Sequence, residues 1–170
     1  EDFTSLIVTR NDTTINMGGE FTDAPAPGVQ GDTFSVRWTG RITPLYSETY
    51  TFTLIHDDTI KVWIDGALLL DEATYGTDTF TFAMVADQLY DIQIELTQGE
   101  TVGITNEWEC RFKWQSATQA LEVVPATAVI PTDEIVKRYE CHIAFPSATE
   151  CSEVHEQLMD RVPGWDWTDD

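Results

Sequence analysis

A chain of 170 residues can build one domain with a proper core plus an extension, and a hydrophobic content of 42% with 11% aromatics excludes a disordered polymer. Thirty acidic residues against nine basic ones give a formal charge of −21, a field that repels phosphate backbones, excludes nucleic acid as a partner and attracts divalent cations. No apolar run approaches the length of a membrane span.

The chain starts at Glu1 rather than methionine and shows no signal-peptide pattern, as expected of a processed or trimmed chain. Asn11-Asp12-Thr13 is an N-glycosylation acceptor pattern, which makes Asn11 a candidate sugar-bearing residue in a secreted eukaryotic protein. From there the dominant period is two. Phe34, Val36 and Trp38 alternate with polar residues, then Tyr50, Phe52 and Leu54, then Ile60, Val62 and Ile64. Phe80, Phe82 and Met84 follow, then Tyr90, Ile92, Ile94 and Leu96, and finally Phe112 and Trp114. Each run reads as a half-buried strand. The stretches APAPG, TGRI, IDG, YGTD and TQGE punctuate them as turns. Many short strands at this spacing predict an all-β fold, an antiparallel β-sandwich or jelly roll. Asp65-Gly66 has the dipeptide of a tight hairpin turn.

Beyond Ile135 the pattern changes, with the prolines of VVPATAVIP marking the boundary. Residues 1–135 are expected to form the sandwich and residues 136–170 a C-terminal extension. The extension reads as a strand over 136–145, with Tyr139, Cys141, Ile143 and Phe145 on one face, and a helix over about 148–162. Val154, Leu158 and Val162 stand at helical spacing there, and Pro163-Gly164 ends it.

Asp57 and Asp58 stand side by side where one strand ends and the next begins. The stretch from Pro25 through Glu72, with its FSVRWTG strand, SETYTF strand, Asp-Asp turn and VWIDG hairpin, resembles the protective-antigen-type domain, the roughly fourteen-kilodalton module named after the anthrax toxin subunit. YDIQIEL, CRFKW and VVPATAVIP continue the resemblance, which runs from about Phe3 to Ile135. It implies an antiparallel β-sandwich found in adhesins, glycosidases, toxins and matrix proteins. In the adhesin members the paired aspartates are joined by a cis peptide bond, both carboxylates hold one Ca2+, and sugar hydroxyls complete its shell. The resemblance therefore implies Asp57 and Asp58 as calcium ligands, with Asn106 as a further ligand in the later loop TQGETVGITNEWE. Glu107 and Glu109 could substitute for Asn106, and Trp108 could stack on a sugar face. Thr59 stands where the family usually has glycine. The plain alternative for the aspartates is a solvated turn without a metal.

Two main function classes are consistent with these residues. The first is an extracellular calcium-dependent carbohydrate-binding or adhesion module whose partners are cell-surface or environmental glycans. The second is a structural subunit of a fibre or filament, joined to identical subunits by exchange of N- and C-terminal strands. An accessory domain of a larger glycosidase or toxin is a third. An extracellular chain favours a disulfide, with Cys141 and Cys151 the preferred pair and Cys110 then a small buried residue; pairing of Cys110 with either of the others stays open. Cys141, His142, Cys151 and His155 form a weaker zinc candidate, because adjacent residues of a strand point to opposite sides. Enzyme chemistry is not expected. Asp57 and Asp58 are contiguous and cannot flank a glycosidic bond, and the parity of His56 with Leu54 turns it inward rather than toward a substrate.

Overall fold

The computed structural model describes residues 3, 5–20, 23–31, 33–99 and 107–131. The chain divides into two units, Glu1–Ile135 and Val136–Asp170. The expected strand over 136–145, the helix over about 148–162, Cys141, Cys151, His142 and His155 all lie outside the described residues. So does the terminal strand on which a filament would depend.

Among the described residues ten strands run in order: β1 (Asn16–Glu20), β2 (Phe34–Ile42), β3 (Thr49–Asp57), β4 (Thr59–Ile64), β5 (Ala67–Glu72), β6 (Gly76–Ala83), β7 (Tyr90–Gln98), β8 (Glu107–Gln115), β9 (Glu122–Val123) and β10 (Val129–Pro131). A short 3-10 turn, Ala126–Ala128, precedes the last. They make two antiparallel sheets. The first has the order β1-β8-β3-β6, with β9 also paired to β8, and the second has the order β10-β2-β7-β4-β5. Among the described residues no helix is long and apolar enough to cross a membrane.

The alternating residues are the reason these segments are strands. Tyr50, Phe52 and Leu54 of β3 and Ile60, Val62 and Ile64 of β4 are all fully buried, because successive side chains of a strand take opposite faces and only one face meets the other sheet. Phe52 sits at the centre, stacked between Phe80 at 5.0 Å and Phe112 at 5.4 Å. The β4–β5 hairpin turns on Asp65 and Gly66, both with positive φ, 49° and 78°. That combination suits the two-residue turn whose twist matches the strands, and glycine takes its position without a Cβ penalty. The Asp65 carboxylate adds a brace by accepting from the Asp91 backbone N–H at 2.8 Å. The VVPATAVIP stretch is more than a boundary. Val124 is buried, and Val129 pairs with Ile42 at the edge of the second sheet.

The connection from β3 to β4 carries the aspartate pair from one sheet to the other. β3 lies inside the first sheet, between β8 and β6, and β4 lies inside the second, between β7 and β5. The chain crosses between them through Asp58 alone. Each end of that crossing is held by a paired strand: Asp57 faces Glu109 of β8 and Thr59 faces Thr97 of β7.

Phe52→Ala removes the ring at the heart of the aromatic stack. It is expected to lower the free energy of unfolding by about 3–5 kcal/mol in urea titration. A loss below about 1 kcal/mol would show that the core does not rest on this residue.

Candidate functional site

The peptide bond between Asp57 and Asp58 is cis. The two carboxyl groups are close enough to act on one another, the protonated Asp57 donating to Asp58, and Asp57 carries a raised pKa of about 6. Partial burial is the largest cause. The hydrogen bond to Asp58 and the charges of Asp58 and Glu107 push in the same direction, while His56 pulls the other way. Two carboxylates this close disfavour each other's ionised form, and a cation between them would relieve that repulsion.

Asp58 is gripped at two points. Its Oδ2 accepts from the Gly99 backbone N–H at 2.9 Å, and its carbonyl oxygen accepts from His56 Nδ1 at 2.7 Å. The other ring nitrogen, His56 Nε2, lies 3.0 Å from Asp78 Oδ2 on β6. His56 is only 2% exposed, so the inward reading of its parity holds.

Gln98 completes the surroundings. Thr59 of β4 pairs with Thr97 of β7, so one residue further on Asp58 comes level with Gln98. Gln98 is 1% exposed, on the same face of β7 as Leu96, and its Oε1 has no hydrogen-bond partner. An amide oxygen stranded in a core is costly. It is a hard oxygen donor of the sort that suits calcium. Among the described residues no group of three or more His, Cys, Asp or Glu converges on a metal position. An ion at this turn would rest on two carboxylates with amide and carbonyl oxygens around them. The carboxylate pair fits a hard divalent cation, and the unpartnered Gln98 amide, next in sequence to Gly99, is an oxygen donor of the same kind.

Asn106 lies outside the described residues. Glu107 is exposed at the start of β8, opposite Glu20, and its charge reaches Asp57. Glu109 stands opposite Asp57 in the β3–β8 register and pairs with Arg111. Trp108 corrects the expectation of a sugar platform. It is 5% exposed, edge-on to Phe34 with ring centroids 5.3 Å apart, and its indole N–H donates to the Asp23 carbonyl at 2.9 Å. Its parity with Cys110, Phe112 and Trp114 turns it inward, so its faces belong to the core. Cys110 is free and fully buried, and burial together with Glu109 drives its thiol pKa upward. Asn11 is exposed. Gln98, Gly99 and Asp78 are site residues that sequence reasoning missed. Only Gln98 left a signal, a polar residue on the inward face of the β7 alternation.

A family model described as "PA14 domain" matches residues 1–128. The anti-sigma-I factor RsgI3 of Acetivibrio thermocellus is 35% identical over 136 residues, which are 78% of this chain and 20% of that protein. A solved anti-sigma factor domain-containing protein superposes with a TM-score of 0.71 at 32% identity, over 78% of this chain and 45% of that one. The chain thus spans about a fifth of the curated relative and less than half of the solved one. An epithelial adhesin domain shares the fold. The epithelial adhesin 6 A domain of Candida glabrata, solved with Galβ1-3GlcNAc, gives a TM-score of 0.55 at 14% identity over 69% of this chain and 65% of that one.

The raised Asp57 pKa gives a signed expectation. Between pH 3.8 and about 6 the folded chain holds a proton that the unfolded chain has released, so stability falls as pH rises through that window and the penalty is complete above it. Asp57→Asn cannot ionise, and its amide can donate to Asp58 in the proton's place. In chelator at neutral pH the variant should melt about 2–5 °C higher than the wild type, a modest gain because the site is largely solvent-screened. The advantage should vanish at the acid end of the window. A variant that melts lower at neutral pH would show that the pair carries no such penalty.

Proposed function

The chain belongs to the PA14 domain family, and from that premise we propose that it is a non-enzymatic, calcium-dependent carbohydrate-binding module of a longer protein. The observation that carries the reading is the Asp57–Asp58 pair itself, each carboxyl acting on the other, with Asp58 pinned by Gly99, and with Gln98, the residue before Gly99, carrying an unpartnered buried amide oxygen. Asp57, Asp58 and Gln98 would hold the ion, with Asn106 as a further ligand.

Bound calcium would supply a hard, oxygen-seeking centre with open positions, and vicinal hydroxyls of a saccharide suit such positions. The residues of this chain do the rest. Two carboxylates neutralise the ion, and the Gly99 N–H fixes the direction of one of them. Glu107, exposed at the start of β8, would accept from a sugar hydroxyl. Trp108 takes no part. The charge of −21 supports the reading, because it raises the local concentration of divalent cations.

The anti-sigma relatives suggest the setting: a ligand-sensing module within a larger regulator, exposed to glycans outside the cell. Surface adhesion would use the same site and the same chemistry. The two settings differ in what the rest of the longer protein does with the binding event.

Asp58→Asn is expected to weaken Ca2+ binding by at least about tenfold in calorimetric titration and to abolish glycan binding on an array of plant, microbial and animal oligosaccharides. EDTA should do the same to the wild type. Glycan binding that persists undiminished in EDTA would overturn the cation-dependent reading.

A further inference from the structure

We infer that His56 is the positioning residue of the Asp57–Asp58 pair, with Asp78 holding its imidazole from the neighbouring strand; this role rests on the cation-site reading. Both ring nitrogens of His56 are engaged. A carbonyl oxygen only accepts, so Nδ1 carries the hydrogen of the 2.7 Å contact to Asp58 O. Nε2 meets the Asp78 carboxylate at 3.0 Å. Neither nitrogen is left for a substrate, and the ring is shut off from solvent.

The position could have held an apolar residue. His56 follows Tyr50, Phe52 and Leu54 on the core face of β3, all fully buried. Its lateral neighbours in the sheet are Gly76 on β6 and Cys110 on β8, small residues that leave room for a large side chain. A phenyl ring would fill the same space without the cost of burying two polar nitrogens. Histidine there gains something only through its hydrogen bonds, and one of them ends on the backbone of the candidate ligand.

The bond acts on Asp58 through its peptide plane. With its carbonyl tied to His56 and its Oδ2 tied to Gly99, Asp58 is held at both ends of one short residue. Turning the plane would carry the carboxylate off the Gly99 N–H. The same bond occupies the carbonyl, so what Asp58 presents to an ion is its carboxylate. This is the arrangement by which outer partners orient metal ligands elsewhere, here with a histidine behind an aspartate.

Asp78 and Gly76 extend the device by one strand. Leu54 pairs with Asp78 and His56 with Gly76, so Asp78 reaches the imidazole diagonally, across Gly76. A Cβ on Gly76 would stand 3.0 Å from Asp78 Oδ2, tighter than ordinary contact. Glycine at 76 thus leaves the space through which the carboxylate leans onto the ring. A side chain there should loosen the chain of contacts from β6 without touching either aspartate.

The test is Ca2+ titration by calorimetry on the full chain, with melting in EDTA as the control for folding. His56→Phe removes both ring nitrogens, the Nδ1 donor among them, and should weaken Ca2+ by at least about tenfold. His56→Gln keeps one N–H within reach of the Asp58 carbonyl and should recover affinity to within about threefold of wild type. Asp78→Ala and Gly76→Ala should each weaken binding about threefold or more while the metal-free melting temperature holds. These two decide the matter alone if His56→Phe does not fold. Wild-type affinity in folded His56→Phe or in Asp78→Ala would overturn the assignment, and so would a His56→Gln protein as weak as His56→Phe. A wild-type protein that binds no Ca2+ is a separate result, which removes the cation reading and this role with it.

Discussion

Two carboxylates side by side, at the point where the backbone leaves one sheet for the other, form an arrangement that both charge repulsion and loss of water oppose. The sandwich holds it in place regardless. β3 and β4 are interior strands of different sheets, each paired on both edges, and Asp58 is the sole residue between them. Strand ends paired to β8 on one side of the crossing and to β7 on the other leave little freedom to splay the aspartates apart. The raised pKa of Asp57 reflects its partial burial first and the nearness of Asp58 after it.

The core beneath gives the restraint its stiffness. The residues leading into the crossing, Tyr50, Phe52 and Leu54, are fully buried, and so are those leading out, Ile60, Val62 and Ile64. Phe52 is clamped between Phe80 and Phe112, so the end of β3 cannot shift without disturbing three strands of the first sheet. Polar contacts then set the final angles. Gly99 fixes one carboxylate, and His56, braced by Asp78, fixes the peptide behind it. The carboxylates are therefore pre-oriented, as a binding site needs to be if the ion is not to repay the ordering of its own ligands.

Strand periodicity was plain in the residues, because one face of each strand must be apolar. Phe34 through Trp114 declared most of both sheets. β1 was not legible: Asn16–Glu20 has two glycines and no alternation, and its partner β8 alone makes it a strand. The aspartate pair stood out for its placement between two apolar runs. Trp108 was read from its nearness to a loop when its parity with Cys110 and Phe112 pointed inward. Gln98 carried the opposite signal, a polar residue where parity demands an apolar one, and that is the mark of a buried group with a task. The contact between His56 and Asp78 could not be read at all. It depends on the register of β3 against β6 and on the space left by Gly76, neither of which a linear pattern encodes.

The central claim is that this crossing is built to hold a divalent cation, and diffraction tests it most directly. Crystals grown with Ca2+ and measured at a long wavelength should show one anomalous peak between the carboxylates of Asp57 and Asp58, about 2.3–2.6 Å from their oxygens and from Gln98 Oε1. A map with no peak there, and with the two carboxyl groups still hydrogen-bonded to each other, would contradict it.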